Sequence, residues 1–208
     1  GEDIYYYITV MNENYTHPAM PEGAEEGILK GMYLFRESKE AKKPRVQLMG
    51  SGTILREVIA AAELLELDWG VVADIWSCTS FTELRRDGMA AERHNMLHPE
   101  EAPRAAYVTQ QLKGRKGPVV AATDYIRSFA DQIRPYITDR KFMVLGTDGF
   151  GRSDTRKQLR KFFEVNRYYV VVAALKTLAD EGQMPLKTVG EAIKKYGIDP
   201  DKPAPWTV

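Results

Sequence analysis

The chain is nearly devoid of cysteine. Cys78 stands alone among 208 residues, so no internal disulfide can form, and a reducing compartment is the expected setting. Charge of one sign is missing too: 29 Lys and Arg face 29 Asp and Glu, for a formal net charge of zero. A neutral chain has no electrostatic reason to seek nucleic acid or an anionic membrane, and the cluster Lys39, Lys42, Lys43 and Arg45 reads as a solvated turn. Long apolar runs are absent; Tyr168 to Leu175 is far shorter than the roughly 20 residues of a membrane span. The start, Gly1-Glu2-Asp3, is acidic where a secretion signal is basic. The expectation is a cytoplasmic protein whose partners include neither nucleic acid nor membrane. No pair of acids, no Ser–His–Asp ordering and no Walker loop is visible.

What remains is balanced: 44% hydrophobic and 28% charged residues describe an ordinary globular domain with ample core material. Strand-like and helix-like stretches alternate. Ile4 to Val10 is dense in aromatic and β-branched residues and reads as a strand. Asn12 to Pro21 is irregular, Glu22 to Gly31 a glycine-weakened turn, and Met32 to Phe35 a further strand. Val46 to Met49, the turn Gly50-Ser51-Gly52, a helix over Thr53 to Leu67 and the strand Val71 to Trp76 form a βαβ unit. Its helix places Ile54, Val58, Ala61, Ala62 and Leu65 on one face, and Gly70 supplies the left-handed cap. Val119–Ala122 leads into a predicted helix over Tyr125 to Tyr136, and Phe142–Leu145 into one over Thr155 to Phe163. Helices over Tyr168–Ala179 and Leu186–Tyr196 follow. The predicted class is α/β, a largely parallel sheet with helices on both faces.

Four places are candidate sites. Gly50-Ser51-Gly52 sits where a dinucleotide fingerprint would, with Asp74 near the position of a ribose-binding acid, but the third glycine is replaced by Leu55. His94 and His98, four residues apart, lack a third ligand, and Asn95 stands where a zinc-protease motif needs glutamate; they read as a structural pair. Cys78 ends a buried strand and reads as an inert core thiol. The most unusual segment is Gly146 to Asp154, on the ligand-binding edge of an open α/β sheet. There Arg152 suits an anion and Ser153 or Asp154 suits a helix cap. The alternative is a turn that presents Phe150 to another protein surface, and the balance favours this interface reading. Asp148, Phe150, Arg152 and Ser153 are the candidate interface or active-centre-facing residues; no catalytic, cofactor or metal residue is assigned.

Several stretches resemble one family. They are Tyr5–Thr9 with Asn12–Tyr15, Pro18–Ile28, Thr79–Leu84 with Arg86–Gly88, Asn95–Pro99, Leu145–Asp154 and Tyr169–Leu175. Together they resemble the C-terminal domain of the homodimeric first component of pyruvate dehydrogenase complexes, and the order of elements is similar to the C-terminal domain of transketolase. The resemblance implies a transketolase C-terminal-like domain over residues 31–208, with 1–30 as the junction from a preceding domain. It implies a parent enzyme that uses thiamine diphosphate and magnesium to decarboxylate pyruvate and reductively acetylate the lipoyl group of dihydrolipoyl acetyltransferase. In that family the cofactor is held by the first two domains, while the third serves the homodimer contact and shapes the approach to the active centre. The family's magnesium motif is nowhere in this sequence, so no cofactor is expected on this chain and turnover by it alone is not expected. Two other roles stay open: docking of the acetyltransferase's peripheral-subunit-binding domain, and nucleotide binding through Gly50 and Gly52.

Overall fold

A computed structural model describes residues 2–8, 10 and 13–208. Five strands make one sheet: β1 (Tyr33–Arg36), β2 (Arg45–Gly50), β3 (Val72–Ser77), β4 (Val119–Ala122) and β5 (Phe142–Leu145). Their order is β1-β3-β2-β4-β5. β1 runs antiparallel to β3, and every other neighbour is parallel. Continuous apolar stretches such as Val119-Val120-Ala121-Ala122, buried throughout, are what a strand covered on both faces requires.

Side chains alternate strictly between two cores. Val46, Leu48, Ile75 and Val120 face α2 (Leu55–Trp69), α7 (Arg167–Asp180) and α8 (Leu186–Lys195). Met49, Trp76, Val119 and Ala121 face α3 (Phe81–Leu97), α4 (Tyr107–Leu112) and α5 (Arg127–Asp131). The remaining helices are α1 (Glu25–Lys30) and α6 (Arg156–Phe162). The chain passes from β2 to β3 through α2 on one face, then crosses through α3 and α4 on the other face to β4, on the opposite side of β2. The strand order therefore reverses between β2 and β4, and a crevice opens there at the carboxyl edge.

Three local expectations are corrected. The strand foreseen over Ile4–Val10 is not formed: residues 4–8 and 10 are irregular and exposed, and Thr9 lies outside the described residues. Aromatic and β-branched density expresses a preference for a packed pleated surface, and this stretch has no ladder partner among the described residues. The helix foreseen over Tyr125–Tyr136 is broken. Ile126 is extended (φ −60°, ψ 148°), α5 spans five residues, and a 3₁₀ turn over Arg134–Tyr136 follows with Pro135 near its start. A proline ring cannot sit in the interior of a continuous α-helix. Glu22–Gly31, expected as a turn, contains α1, which Gly31 ends at φ +98°.

Candidate functional site

The carboxyl edge is tied together across the strand reversal. Ser51 donates its hydroxyl to Thr123 Oγ1 at 2.8 Å, both residues buried, and the Ser51 amide donates to the Ala122 carbonyl at 3.3 Å. Thr147 donates its hydroxyl to the Asp124 carbonyl at 2.8 Å, so the loop after β5 is anchored to the loop after β4. These bonds bring Thr53, Asp124 and Thr147 to the mouth of one cleft of about 300 Å³, closed on its far side by α6.

The four candidate residues of the Gly146–Asp154 loop divide between two roles. Asp148 is committed within the chain: its Oδ2 accepts from the Arg127 amide at 3.1 Å and from Arg127 Nε at 3.0 Å. Phe150 is 82% exposed. Arg152 is exposed and lays its guanidinium 4.3 Å from the centre of the Phe162 ring, at the cleft. Ser153 is exposed and does not cap the next helix, nor does Asp154. The cap is Thr155, whose Oγ1 accepts from the Gln158 amide at 3.4 Å, while Asp154 accepts from the Thr155 amide. The chain is extended at Thr155 (φ −63°, ψ 150°), the geometry an N-cap needs, so the helix begins one residue later than foreseen.

The C-terminal turn braces this loop, a contact that no local sequence pattern announces. Gly149 has φ +115°, and a Cβ placed there would lie 2.5 Å from the Pro205 carbonyl oxygen. Glycine is required twice over, for its backbone conformation and for the close approach. Arg127, held by Asp148, sits 4.5 Å from the centre of the Trp206 ring.

The other candidate places prove structural. Gly50 is pressed against α2, its ideal Cβ falling 2.8 Å from Leu55 Cα; the close helix–strand approach that the fingerprint's third glycine would provide is supplied here from the strand side. Asp74 is unavailable to a ribose. It is buried and accepts from the Ser38 amide (3.0 Å), the Gln47 side chain (2.8 Å) and Arg45. Trp76 Nε1 donates to Gln47 Oε1 at 2.8 Å, which completes a buried polar chain across β2 and β3. His94 and His98 stack at 4.5 Å and flank Glu101 at 3.2 Å each. Asn95 clamps the following loop through Arg104, donating to its carbonyl and accepting from its amide. No group of three His, Cys, Asp or Glu side chains suited to a metal occurs among the described residues. Cys78 is buried, and burial pushes its thiol far above the ordinary value.

Two further arginines reach the cleft that sequence reasoning passed over, Arg156 and Arg160. Their signal was a four-residue spacing from Arg152 onward, which places two of them on one face of α6. Arg160 also meets a buried carboxylate. Glu57, on α2, accepts three hydrogen bonds from Arg167, at 2.9 Å from the amide and 3.0 Å from each of Nε and Nη2, and lies 3.5 Å from Arg160. Burial alone would raise the Glu57 carboxyl; the hydrogen bonds from Arg167, with the charges of Arg167 and Arg160, outweigh it and hold the group below its usual value.

Residues 31–166 match the family described as the transketolase-like TK C-terminal domain. The chain belongs to that family. This transketolase-like domain is 62% identical over all 208 residues to the pyruvate dehydrogenase E1 component of Cupriavidus necator, and 56% identical over 204 residues to that of Escherichia coli. In each case it spans 23% of the relative's length, at the C-terminal part. Among solved structures, a split-gene transketolase described as an inactive tetramer of beta chains aligns with TM-score 0.50 and 15% identity, covering 71% of this chain and 42% of that one. This last likeness supports the α/β fold and nothing finer.

Proposed function

We propose that the chain is the C-terminal domain of a pyruvate dehydrogenase E1 component and serves the assembly of that enzyme rather than its chemistry. The observation that carries this reading is the identity of 62% along the entire chain to less than a quarter of the relative's length. On this reading residues 1–30 are the junction from a preceding domain and 31–208 the domain proper. The parent is a cytoplasmic homodimer that decarboxylates pyruvate and passes the acetyl group to the lipoyl group of dihydrolipoyl acetyltransferase. Tyr5, Tyr6 and Phe150, exposed to 91%, 78% and 82%, are the residues we assign to contacts with the rest of the enzyme, since large apolar groups held in water mark association surfaces.

Thiamine diphosphate with magnesium supplies the carbanion chemistry in such an enzyme, and magnesium binds through carboxylates and phosphate oxygens in near-octahedral geometry. The carboxylates at this chain's carboxyl edge do not fit that group. Asp148 is engaged by Arg127, Asp124 accepts from the Thr53 hydroxyl at 3.5 Å, and neither belongs to a group of three His, Cys, Asp or Glu side chains suited to a metal among the described residues. This supports placing the cofactor in the preceding domains. The test is turnover by the chain alone with pyruvate, thiamine diphosphate, magnesium and an artificial electron acceptor. No reduction above a buffer control is expected; reduction above it would overturn the assignment.

A further inference from the structure

We propose that the open edge of β5 takes an extended, acid-ended peptide segment of a partner protein as a sixth, antiparallel strand. β5 is the last strand of the sheet and pairs on one side alone, with β4. Its register divides its backbone. The Val119 amide donates to the Lys141 carbonyl at 2.8 Å and the Thr123 amide to the Leu145 carbonyl at 3.1 Å, so the odd-numbered residues turn their polar groups toward β4. Along a strand these groups alternate in direction, and Phe142 and Val144 therefore turn theirs outward. The Phe142 carbonyl shows it: it accepts from Arg134 Nη1 at 2.9 Å, from outside the sheet. The Phe142 N–H and the N–H and C=O of Val144 have no bonding partner among the described residues.

Such an edge is a template for another strand unless it is covered. Here a groove of about 460 Å³ lies against Phe142, Met143 and Val144, with Asp131 of α5 on one wall and Asp180 of α7 on the other. The two helices flank the edge without closing it. Phe142 and Val144 pack on the α5 side of the sheet and Met143 and Leu145 on the α7 side, so the side chains of an added strand alternate between the same two walls.

Charge selects the occupant. Both acids of the groove are already paired, Asp131 with Arg134 and Asp180 with Lys176, and Arg127 is held by Asp148. The neighbouring Glu181 accepts from the Lys141 amide and from the Gln183 side chain. Lys141 is left over: it lines the groove, is exposed, and its ammonium has no ion-pair partner among the described residues. It stands immediately before β5. An antiparallel strand ends where β5 begins, so a carboxylate near the C-terminal end of the incoming segment meets this lysine. Val144 exchanges two hydrogen bonds with one residue of that segment, and the Phe142 N–H makes a third. Main-chain pairing supplies the affinity and Lys141 sets direction and sign.

The test is a heteronuclear NMR titration of the isotope-labelled 208-residue chain with a blocked peptide of alternating threonine and valine that ends in two glutamates. Saturable shifts at the amides of Phe142 and Val144 at millimolar peptide are expected, with slowed hydrogen exchange of the Val144 amide. A twin ending in two lysines is expected to bind about two- to fivefold more weakly, the effect of one exposed ion pair, and Lys141→Glu, at an exposed position, is expected to reverse the order. A twin with proline at the residue facing Val144 lacks the N–H that pairing needs and is expected to give no saturable shifts. Absence of saturable shifts with the first peptide, shifts confined to another surface, equal binding of the proline twin, or an order that Lys141→Glu leaves unchanged would each overturn the proposal. So would shifts of the same amides on dilution without peptide, which would make a second copy of the chain the occupant.

Discussion

Replacing Glu57 by alanine removes a carboxylate that joins α2 to the start of α7 and to α6. Its side chain is 7% exposed and accepts three hydrogen bonds from Arg167 at 2.9–3.0 Å. A hydrogen bond to a charged group contributes about 1.5–3 kcal/mol, but the bonds do not sum. The alanine variant no longer carries the desolvation cost of a buried carboxylate, and the Arg167 side chain is 42% exposed, so water takes over much of its guanidinium. A net loss of about 2–3 kcal/mol at neutral pH follows, which for a domain of this size lowers Tm by about 5–10 °C. Because the folded-state pKa of Glu57 lies below the ordinary value, its contribution is complete above the usual carboxylate range and is lost as pH falls through the folded value. Thermal unfolding followed by circular dichroism should therefore show a gap between wild type and Glu57→Ala that is wide at pH 7 and narrows in acid. A drop under about 2 °C at pH 7, or a gap that survives acidification unchanged, would refute this reasoning.

Gly149→Ala is expected to detach the C-terminal turn, because its Cβ collides with the Pro205 carbonyl at 2.5 Å; acrylamide quenching of tryptophan fluorescence should rise as Trp206 is freed, and unchanged quenching would contradict the bracing role. Trp76→Phe strips Gln47 Oε1 of the indole donor that binds it at 2.8 Å in a fully buried site. Urea unfolding should register a loss of about 1–3 kcal/mol, and a change within about 0.5 kcal/mol would show that the buried chain is not structural. Calorimetric titration of this chain with the peripheral-subunit-binding domain of an acetyltransferase should give no saturable heat. Micromolar binding, roughly −8 kcal/mol, would make this domain the docking element.

The parallel strands were legible because β4 and β5 read as unbroken apolar runs, and β2 and β3 as apolar runs interrupted internally only by the buried Gln47 and Asp74. α2 and α7 were legible because each buries a continuous stripe. α3 was not anticipated as an element, although it is the longest helix among the described residues, because only Phe81, Leu84 and Gly88 of its 17 residues are buried; a helix that buries so little leaves almost no periodic signal. Its start was nonetheless written in Ser80 and Glu83, the spacing of a capping box, and Ser80 does accept from the Glu83 amide at 3.1 Å. The position of the Gly146–Asp154 loop at the ligand-binding edge was readable from strand–turn–helix order. The bracing of that loop by Pro205 and Trp206, more than fifty residues on, and the convergence of Arg156 and Arg160 on its cleft depend on tertiary contacts that no local pattern encodes. The strand reading of Ile4–Val10 failed for the complementary reason: strand propensity is a statement about neighbours, and there are none beside it among the described residues.

The central claim, that this domain completes an enzyme whose active centre lies in the preceding domains, is tested most directly by reconstitution. A parent E1 component lacking the region equivalent to residues 31–208 would be assayed for dimerisation by sedimentation and for pyruvate turnover, before and after adding this chain. The account predicts weak or absent dimer and turnover that both recover on addition. A truncated parent that is already a fully active dimer, unaffected by the added chain, would contradict it.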